Sequence, residues 1–122
     1  MTAERTVLLV EDNDDLASLY RRYLDGEYRV RSARTGREAI RKATPAVDLV
    51  VLDHKLPDML GTDIHDQFRT SGLTTPVVMI SGTDPELLPD RDDPAAWLTK
   101  PFYKEELQKT VREVLTATEP SE

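Results

Sequence analysis

The feature that most constrains this chain is a series of five short apolar runs, separated by segments of helical periodicity. Most of the runs are nearly continuous in Val, Leu and Ile, which is typical of strands that helices cover on both faces. Strands that alternate with helices predict an α/β fold with a doubly wound, mainly parallel sheet. The runs are Thr6 to Val10, Tyr28 to Ser32, Val47 to Leu52, Val77 to Ile80 and a weaker Ala95 to Leu98.

Four further segments have the apolar spacing of amphipathic helices. Asn13 and Asp14 are suited to cap the first helix. Pro45 ends the second helix, and Gly72 stops the third. The predicted inward positions are Leu16, Leu19, Tyr20, Tyr23 and Leu24, then Ala39, Ile40 and Ala43, then Leu60, Ile64 and Phe68, and finally Leu107, Val111, Val114 and Leu115.

The stretch from Gly82 to Pro94 is predicted to be irregular. It contains three prolines, each of which removes a backbone donor and restricts the residue before it. At most Asp84 to Leu88 forms one or two helical turns. A helix between the fourth and fifth strands is therefore short or irregular.

Length and composition limit the class of protein. The 122 residues fit one compact domain, 1–122, with an ordered core over about 5–117 and a tail over 118–122. No apolar run approaches the ~20 residues that span a bilayer, and no signal peptide is evident, so we expect a cytoplasmic protein. The absence of Cys excludes thiolate-bound zinc. A formal charge of −7 argues against direct nucleic-acid binding, because that affinity depends on Lys and Arg neutralising phosphates.

Polar residues follow four of the predicted strands. Glu11 and Asp12 follow the first strand, and Asp53 follows the third. Ser81 comes directly after the fourth strand, and Lys100 comes shortly after the fifth. In an open parallel sheet the carboxyl ends of the strands form one edge, where ligands bind. We therefore expect these side chains to converge.

Three carboxylates held together repel one another unless a cation neutralises them. Mg²⁺ fits best, because it takes one or two carboxylates, keeps several waters and leaves positions open for phosphate oxygens. A carboxylate can attack phosphorus and form an acyl phosphate. Mg²⁺, the Lys100 ammonium and the Ser81 hydroxyl would then stabilise the charge on the transferred group. The residues thus favour phosphoryl transfer with Mg²⁺ as cofactor.

The segments VLLVED, LVVLDHKLPDMLG, VVMISG and WLTKPF, in this order and spacing, resemble the receiver domain of two-component response regulators, the family that includes chemotaxis receivers. The resemblance covers almost the whole chain. It implies a five-stranded parallel sheet of order 2-1-3-4-5 with flanking helices, a flavodoxin-like fold. Some archaeal receivers, including those of halophiles, are similar in the stretch before the fifth strand.

The resemblance implies a role for each residue of the site. Asp53 is the phosphoacceptor, and Ser81 and Lys100 act in the transfer. Ser81 is also a switch residue, as is Trp97, which stands where the family usually has Tyr or Phe. The bond between Lys100 and Pro101 is expected to be cis. Mg²⁺ is bound by Glu11, Asp12, Asp53 and the backbone carbonyl of Lys55.

The implied function is that of a signalling phosphoacceptor and not of an enzyme with a separate substrate. It takes a phosphoryl group from a sensor histidine kinase onto Asp53 and loses it by hydrolysis. Phosphorylation shifts a conformational equilibrium and changes affinity for a downstream protein or an output domain. We expect no membrane contact, and a monomer or a weak, phosphorylation-dependent homodimer.

Three alternatives stay open at this point. A metal-dependent phosphohydrolase with an aspartyl intermediate resembles D-x-D after a strand, whereas Lys55 occupies the third position here. A flavin-binding electron carrier needs a hydroxyl- and Gly-rich phosphate loop, whereas the acids of residues 11–15 would repel phosphate. An interaction module with an inactive pocket would bind no Mg²⁺.

Other polar residues are interpreted as surface positions. His54 and His65 lie on different elements without a ligand partner at i+4, and we predict that both are exposed. Eight Arg and Lys residues fall between residues 21 and 42. They are most simply solvated faces, although they also suit a partner surface.

Overall fold

A computed structural model describes residues 4–82 and 94–118 of the chain. Strands and helices alternate up to the fourth strand, as the apolar pattern predicts. The strands are β1 (Thr6–Val10), β2 (Arg29–Ala33), β3 (Leu49–Asp53), β4 (Val77–Ser81) and β5 (Ala96–Thr99). The helices are α1 (Asp14–Leu24), α2 (Gly36–Lys42), α3 (Gly61–Thr70) and α4 (Lys104–Ala117).

The five strands form one parallel sheet of order β2-β1-β3-β4-β5, so the predicted fold class and strand order are confirmed. Alternate residues of each central strand face opposite sides, as the two-residue repeat of a strand requires. Leu9 and Val51 face the cluster that α1 and α4 cover. Leu8 and Leu52 face the cluster that α2 and α3 cover. Two apolar layers thus pack on the two faces of the sheet and position its carboxyl edge.

The outer edge of β2 is covered by cationic side chains. β2 is the first strand in the sheet order, and its Val30 and Ser32 carbonyls point away from β1. Arg21 donates from Nη2 to the Val30 carbonyl at 2.9 Å and from Nη1 to the Ser32 hydroxyl at 2.6 Å. Lys42 donates from Nζ to the Ser32 carbonyl at 2.8 Å. Part of the basic stretch is therefore used within the fold.

Most predicted boundaries agree with the structure to within two residues. Asn13 caps α1, with its side chain accepting from the Leu16 amide at 3.0 Å. The backbone beyond α3 turns at Gly72, which has φ +90°. Residues 83–93, most of the stretch predicted to be irregular and including the possible helical turns at Asp84 to Leu88, lie outside the described residues. Among those described, no helix is long and apolar enough to cross a membrane.

The prediction that His54 and His65 are exposed is wrong. Only 7% of His54 and 3% of His65 are accessible. His65 is on the inward face of α3, next in sequence to Ile64, and His54 directly continues the fully buried β3. Both residues are buried on the side of the sheet that α2 and α3 cover. The lack of a metal-ligand partner therefore did not indicate that a His is exposed.

Candidate functional site

Three carboxylates meet at the carboxyl edge of the sheet. Glu11 and Asp12 directly follow β1, and Asp53 is the last residue of the neighbouring β3. One carboxylate oxygen from each residue lies within 4.8 Å of the other two. Glu11 and Asp53 are 2% and 6% accessible, whereas Asp12 is partly exposed. The cluster is thus buried on one side and open on the other.

Lys100 directly follows β5, the edge strand two positions from β3, and its side chain extends back to this cluster. Its Nζ lies 3.1 Å from Asp53 Oδ2 and 3.4 Å from Glu11 Oε1. Its backbone amide donates to the Ser81 carbonyl at 2.8 Å, which continues the pairing of β4 with β5. The bond from Lys100 to Pro101 is cis, as expected. The single ammonium therefore bridges two buried carboxylates that come from different strands.

The charges of the cluster shift the pKa of its members. Burial alone would lower the pKa of the Lys100 ammonium, but the hydrogen bond to Asp53 and the nearby carboxylates outweigh it and raise the pKa. Burial raises the pKa of Glu11 to about 7, against the opposing hydrogen bond from the Asn13 amide. Asp53 adds to the rise. The cluster contains three carboxylates and contacts one ammonium, so its charge suits a further cation.

The loop after β3 holds Asp53 in place through backbone contacts. Asp53 Oδ1 accepts from the Lys55 amide at 3.1 Å, and the His54 amide donates to the Ile80 carbonyl at 2.8 Å. Gly61, the first residue of α3, donates to the His54 carbonyl at 2.6 Å. A Cβ on Gly61 would lie 2.9 Å from the His54 Cα and 3.0 Å from the Asp53 carbonyl oxygen. Only glycine lets α3 begin this close to the loop.

Ser81 and Trp97 lie on the two strands beyond β3. Ser81 ends β4 and is 3% accessible, and its neighbour in register on β5 is Thr99. Trp97 is partly buried and packs on the α2–α3 side of the sheet. Its ring meets the His54 ring edge-on, with centroids 5.9 Å apart and planes at 75°. The structure thus brings Trp97 next to His54, the residue that follows Asp53.

Two contributors to this region were missed from the sequence. His54 was assigned to the surface, although the unbroken apolar run before it places the next residue at a buried strand end. Tyr20 was assigned only to the core. It stacks on Phe102 with ring centroids 5.0 Å apart, and burial raises the pKa of its phenol while the Lys100 charge opposes the rise. Tyr20 is therefore close enough to sense the charges of the cluster.

The raised pKa of Glu11 predicts a pH-dependent stability in the absence of a bound cation. Between about pH 4.5 and 7 the folded chain keeps a proton that the unfolded chain has lost. The free energy of unfolding should therefore fall as pH rises through this window, by about 1–3 kcal/mol, and level off above it. Urea denaturation at several pH values measures the slope.

Glu11→Gln is the matched control for this slope, since the amide does not titrate. The difference between wild type and the variant isolates Glu11 from all other titrating groups. A wild-type profile that parallels the variant between pH 5 and 7 would show that the Glu11 pKa is not raised.

The model for the response regulator receiver domain matches residues 7–112 of the chain. The chain belongs to the response regulator receiver family. Receiver domains are signalling phosphoacceptors of two-component systems, generally not enzymes with a separate substrate, and they bind Mg²⁺ at an acidic cluster. The three carboxylates at the carboxyl edge of this receiver form such a cluster.

Individual relatives agree with this assignment. This receiver is 37% identical over 114 residues to a putative transcriptional regulator of Haloferax volcanii, covering 93% of the chain and 20% of that protein. The signal receiver domain of a putative Luxo repressor protein from Vibrio parahaemolyticus superimposes with a TM-score of 0.86 at 32% identity, covering 94% and 92% of the two chains. TrrA of Thermotoga maritima, solved in complex with Mg²⁺ and beryllium fluoride, shares the fold at 23% identity and a TM-score of 0.76, covering 90% and 98%.

This receiver spans half or less of the length of several curated relatives that it matches. Those relatives are named as transcriptional regulators.

Proposed function

We propose that this receiver accepts a phosphoryl group on the Asp53 carboxylate, from the phosphohistidine of a sensor histidine kinase. The observation that carries the proposal is the position of Lys100, whose Nζ contacts both Asp53 and Glu11 within a group of three clustered carboxylates. An Asp53 oxygen attacks phosphorus, and the bond from phosphorus to the imidazole nitrogen breaks. The electron pair stays on that nitrogen, and an acyl phosphate forms.

The residues present fit a divalent cation of the Mg²⁺ type. Glu11, Asp12 and Asp53 offer only hard oxygen ligands, and these three carboxylates face a single ammonium, that of Lys100. The backbone carbonyl of Lys55 is proposed as a further ligand. Mg²⁺ bound here would neutralise the carboxylates and the charge on the phosphoryl oxygens.

Lys100 and Ser81 complete the proposed transfer site. Lys100 already holds its ammonium 3.1 Å from an Asp53 oxygen, so it can follow the negative charge onto the phosphoryl group without rearranging its backbone. The Ser81 hydroxyl, at the end of the neighbouring strand, donates to a phosphoryl oxygen in this proposal. Donors held in fixed positions stabilise the charge that develops on the transferred group.

The proposed signal is a change in side-chain packing at β4 and β5, which alters the neighbouring surface. Once Ser81 engages the phosphoryl group, the packing of Trp97 against His54 changes, and with it the affinity for a downstream protein or an output domain. Hydrolysis resets the site: water attacks phosphorus, the bond to the Asp53 oxygen breaks, and inorganic phosphate leaves. We also propose that 1–122 acts as one domain, located in the cytoplasm.

The proposal is tested by incubating the protein with acetyl phosphate, with and without Mg²⁺, and measuring intact mass. We expect one added phosphoryl group only when Mg²⁺ is present, and peptide mapping that places it on Asp53. Trp97, the only Trp, should change its fluorescence in the same samples. An adduct that forms equally in EDTA, or that maps to another residue, would contradict the proposed function.

A further inference from the structure

A groove lined mainly by charged side chains opens beside the acidic cluster. It has a volume of about 600 Å³ and lies between α2, the turn before it, and the loops after β1 and β3. Three arginines and two acidic residues line it. The lining side chains used here are Arg34, Arg37 and Arg41, together with Asp12 and Glu38.

The groove is continuous with the proposed transfer site through Asp12. The Asp12 carboxylate lines the groove, and it also lies within 4.8 Å of the Asp53 and Glu11 carboxylates. A ligand seated among the arginines would therefore border the phosphoacceptor cluster.

The arginines of the groove have little internal neutralisation. Arg34 pairs with Asp14 at 3.2 Å, but both side chains are mostly exposed, and such pairs contribute little. Arg41 lies 3.9 Å from Glu38, whose carboxylate is already engaged by Lys42 and by the Arg34 amide. Within the described residues, no carboxylate forms an ion pair with the Arg37 guanidinium; the nearby Asp58 carboxylate instead accepts from the Arg37 backbone amide at 3.0 Å and interacts with the Arg37 charge at longer range.

The surrounding charge makes this cationic groove unusual for the chain. Residues 21–42 hold eight of the 16 Lys and Arg but only three of the 23 Asp and Glu, which gives this stretch +5 and the remainder −12. Phosphoryl donors are anions, and the carboxylate cluster repels them. A positive lining at the entrance raises the local concentration of an anion and speeds its encounter with the site.

We propose that this arginine groove is an entry subsite for free dianionic phosphoryl donors of the acyl phosphate class. This inference rests on the proposed function and adds the side chains that bind a free small donor before transfer. Arg37 and Arg41 hold the donor's phosphate beside Asp12, and the phosphoryl group then passes to Asp53. The acyl group leaves as a carboxylate when the bond from its oxygen to phosphorus breaks.

The test compares two double variants that remove the same charge. Arg37→Gln with Arg41→Gln removes two of the three cations that line the groove. Arg22→Gln with Arg29→Gln removes two exposed cations that do not line it. Phosphorylation with Mg²⁺ is followed by intact mass, using acetyl phosphate and the less negatively charged phosphoramidate. At low salt the groove variant should lose about threefold to tenfold in rate with acetyl phosphate, and less with phosphoramidate. The control should change by less than about twofold.

A second readout does not depend on the reaction. Titration with inorganic phosphate should shift the backbone amide resonances of residues 34–41 in the wild type and not in the groove variant. Arg37→Lys with Arg41→Lys should keep most of the rate, since the charge remains. Equal rate losses in the groove and control variants, or no phosphate-dependent shifts at 34–41, would overturn the subsite. A wild type that accepts no phosphoryl group would instead overturn the proposed function.

Discussion

Asp53→Asn should accept no phosphoryl group from acetyl phosphate and Mg²⁺, even after prolonged incubation. The amide has no anionic oxygen to attack phosphorus, so the loss is expected to be complete and not partial. The fold should survive, because an amide oxygen can still accept from the Lys55 amide. Intact mass spectrometry gives the adduct, and urea denaturation gives the stability.

The control for this variant is Asp63→Asn, which makes the same chemical change on an exposed residue of α3. It should accept the phosphoryl group like the wild type. Asp53→Asn, unlike this control, should also lower the pKa of Glu11, because the Asp53 carboxylate contributes to raising it. A Mg²⁺-dependent adduct on Asp53→Asn equal to that of the wild type would remove Asp53 from the role of phosphoacceptor.

Lys100→Met should slow phosphorylation by about 100-fold or more while leaving Mg²⁺ binding intact. The ammonium contacts an Asp53 oxygen at 3.1 Å, and removing one preorganised charge from a reacting site typically costs this much. Mg²⁺ affinity should be equal or higher, because a competing positive charge has been removed from the same carboxylates. The phosphorylation rate and a Mg²⁺ titration together separate the two roles.

Lys104→Met serves as the comparison, since Lys104 is exposed at the start of α4. Its rate should match the wild type. If Lys100→Met lost Mg²⁺ binding and rate in proportion, Lys100 would act by organising the carboxylates, and its assignment to the transfer step would be wrong.

The apolar pattern predicts the sheet well because a buried parallel strand leaves a continuous run of Val, Leu and Ile. The same pattern places acids and Lys100 at strand ends, and the parallel topology then brings them together. This convergence follows from the sequence through simple geometry. The parallel arrangement, not any single motif, makes the candidate site predictable.

Other features depend on packing that a linear pattern does not encode. His54 is buried beside Trp97, and His65 is buried on the inward face of α3. Their polarity alone indicated exposure. The arginine groove arises where α2 meets the loops after β1 and β3. The Arg21 and Lys42 bonds to β2 likewise require the folded positions of two helices.

The covered edge of β2 bears on how this receiver associates with other chains. An exposed edge strand invites a foreign strand to extend the sheet through backbone hydrogen bonds. Here the carbonyls of Val30 and Ser32 are occupied by Arg21 and Lys42, so an incoming strand would first have to displace two charged donors. This side of the sheet is therefore protected against strand addition and fibril growth, and partners that contact β2 must recognise its charged side chains instead.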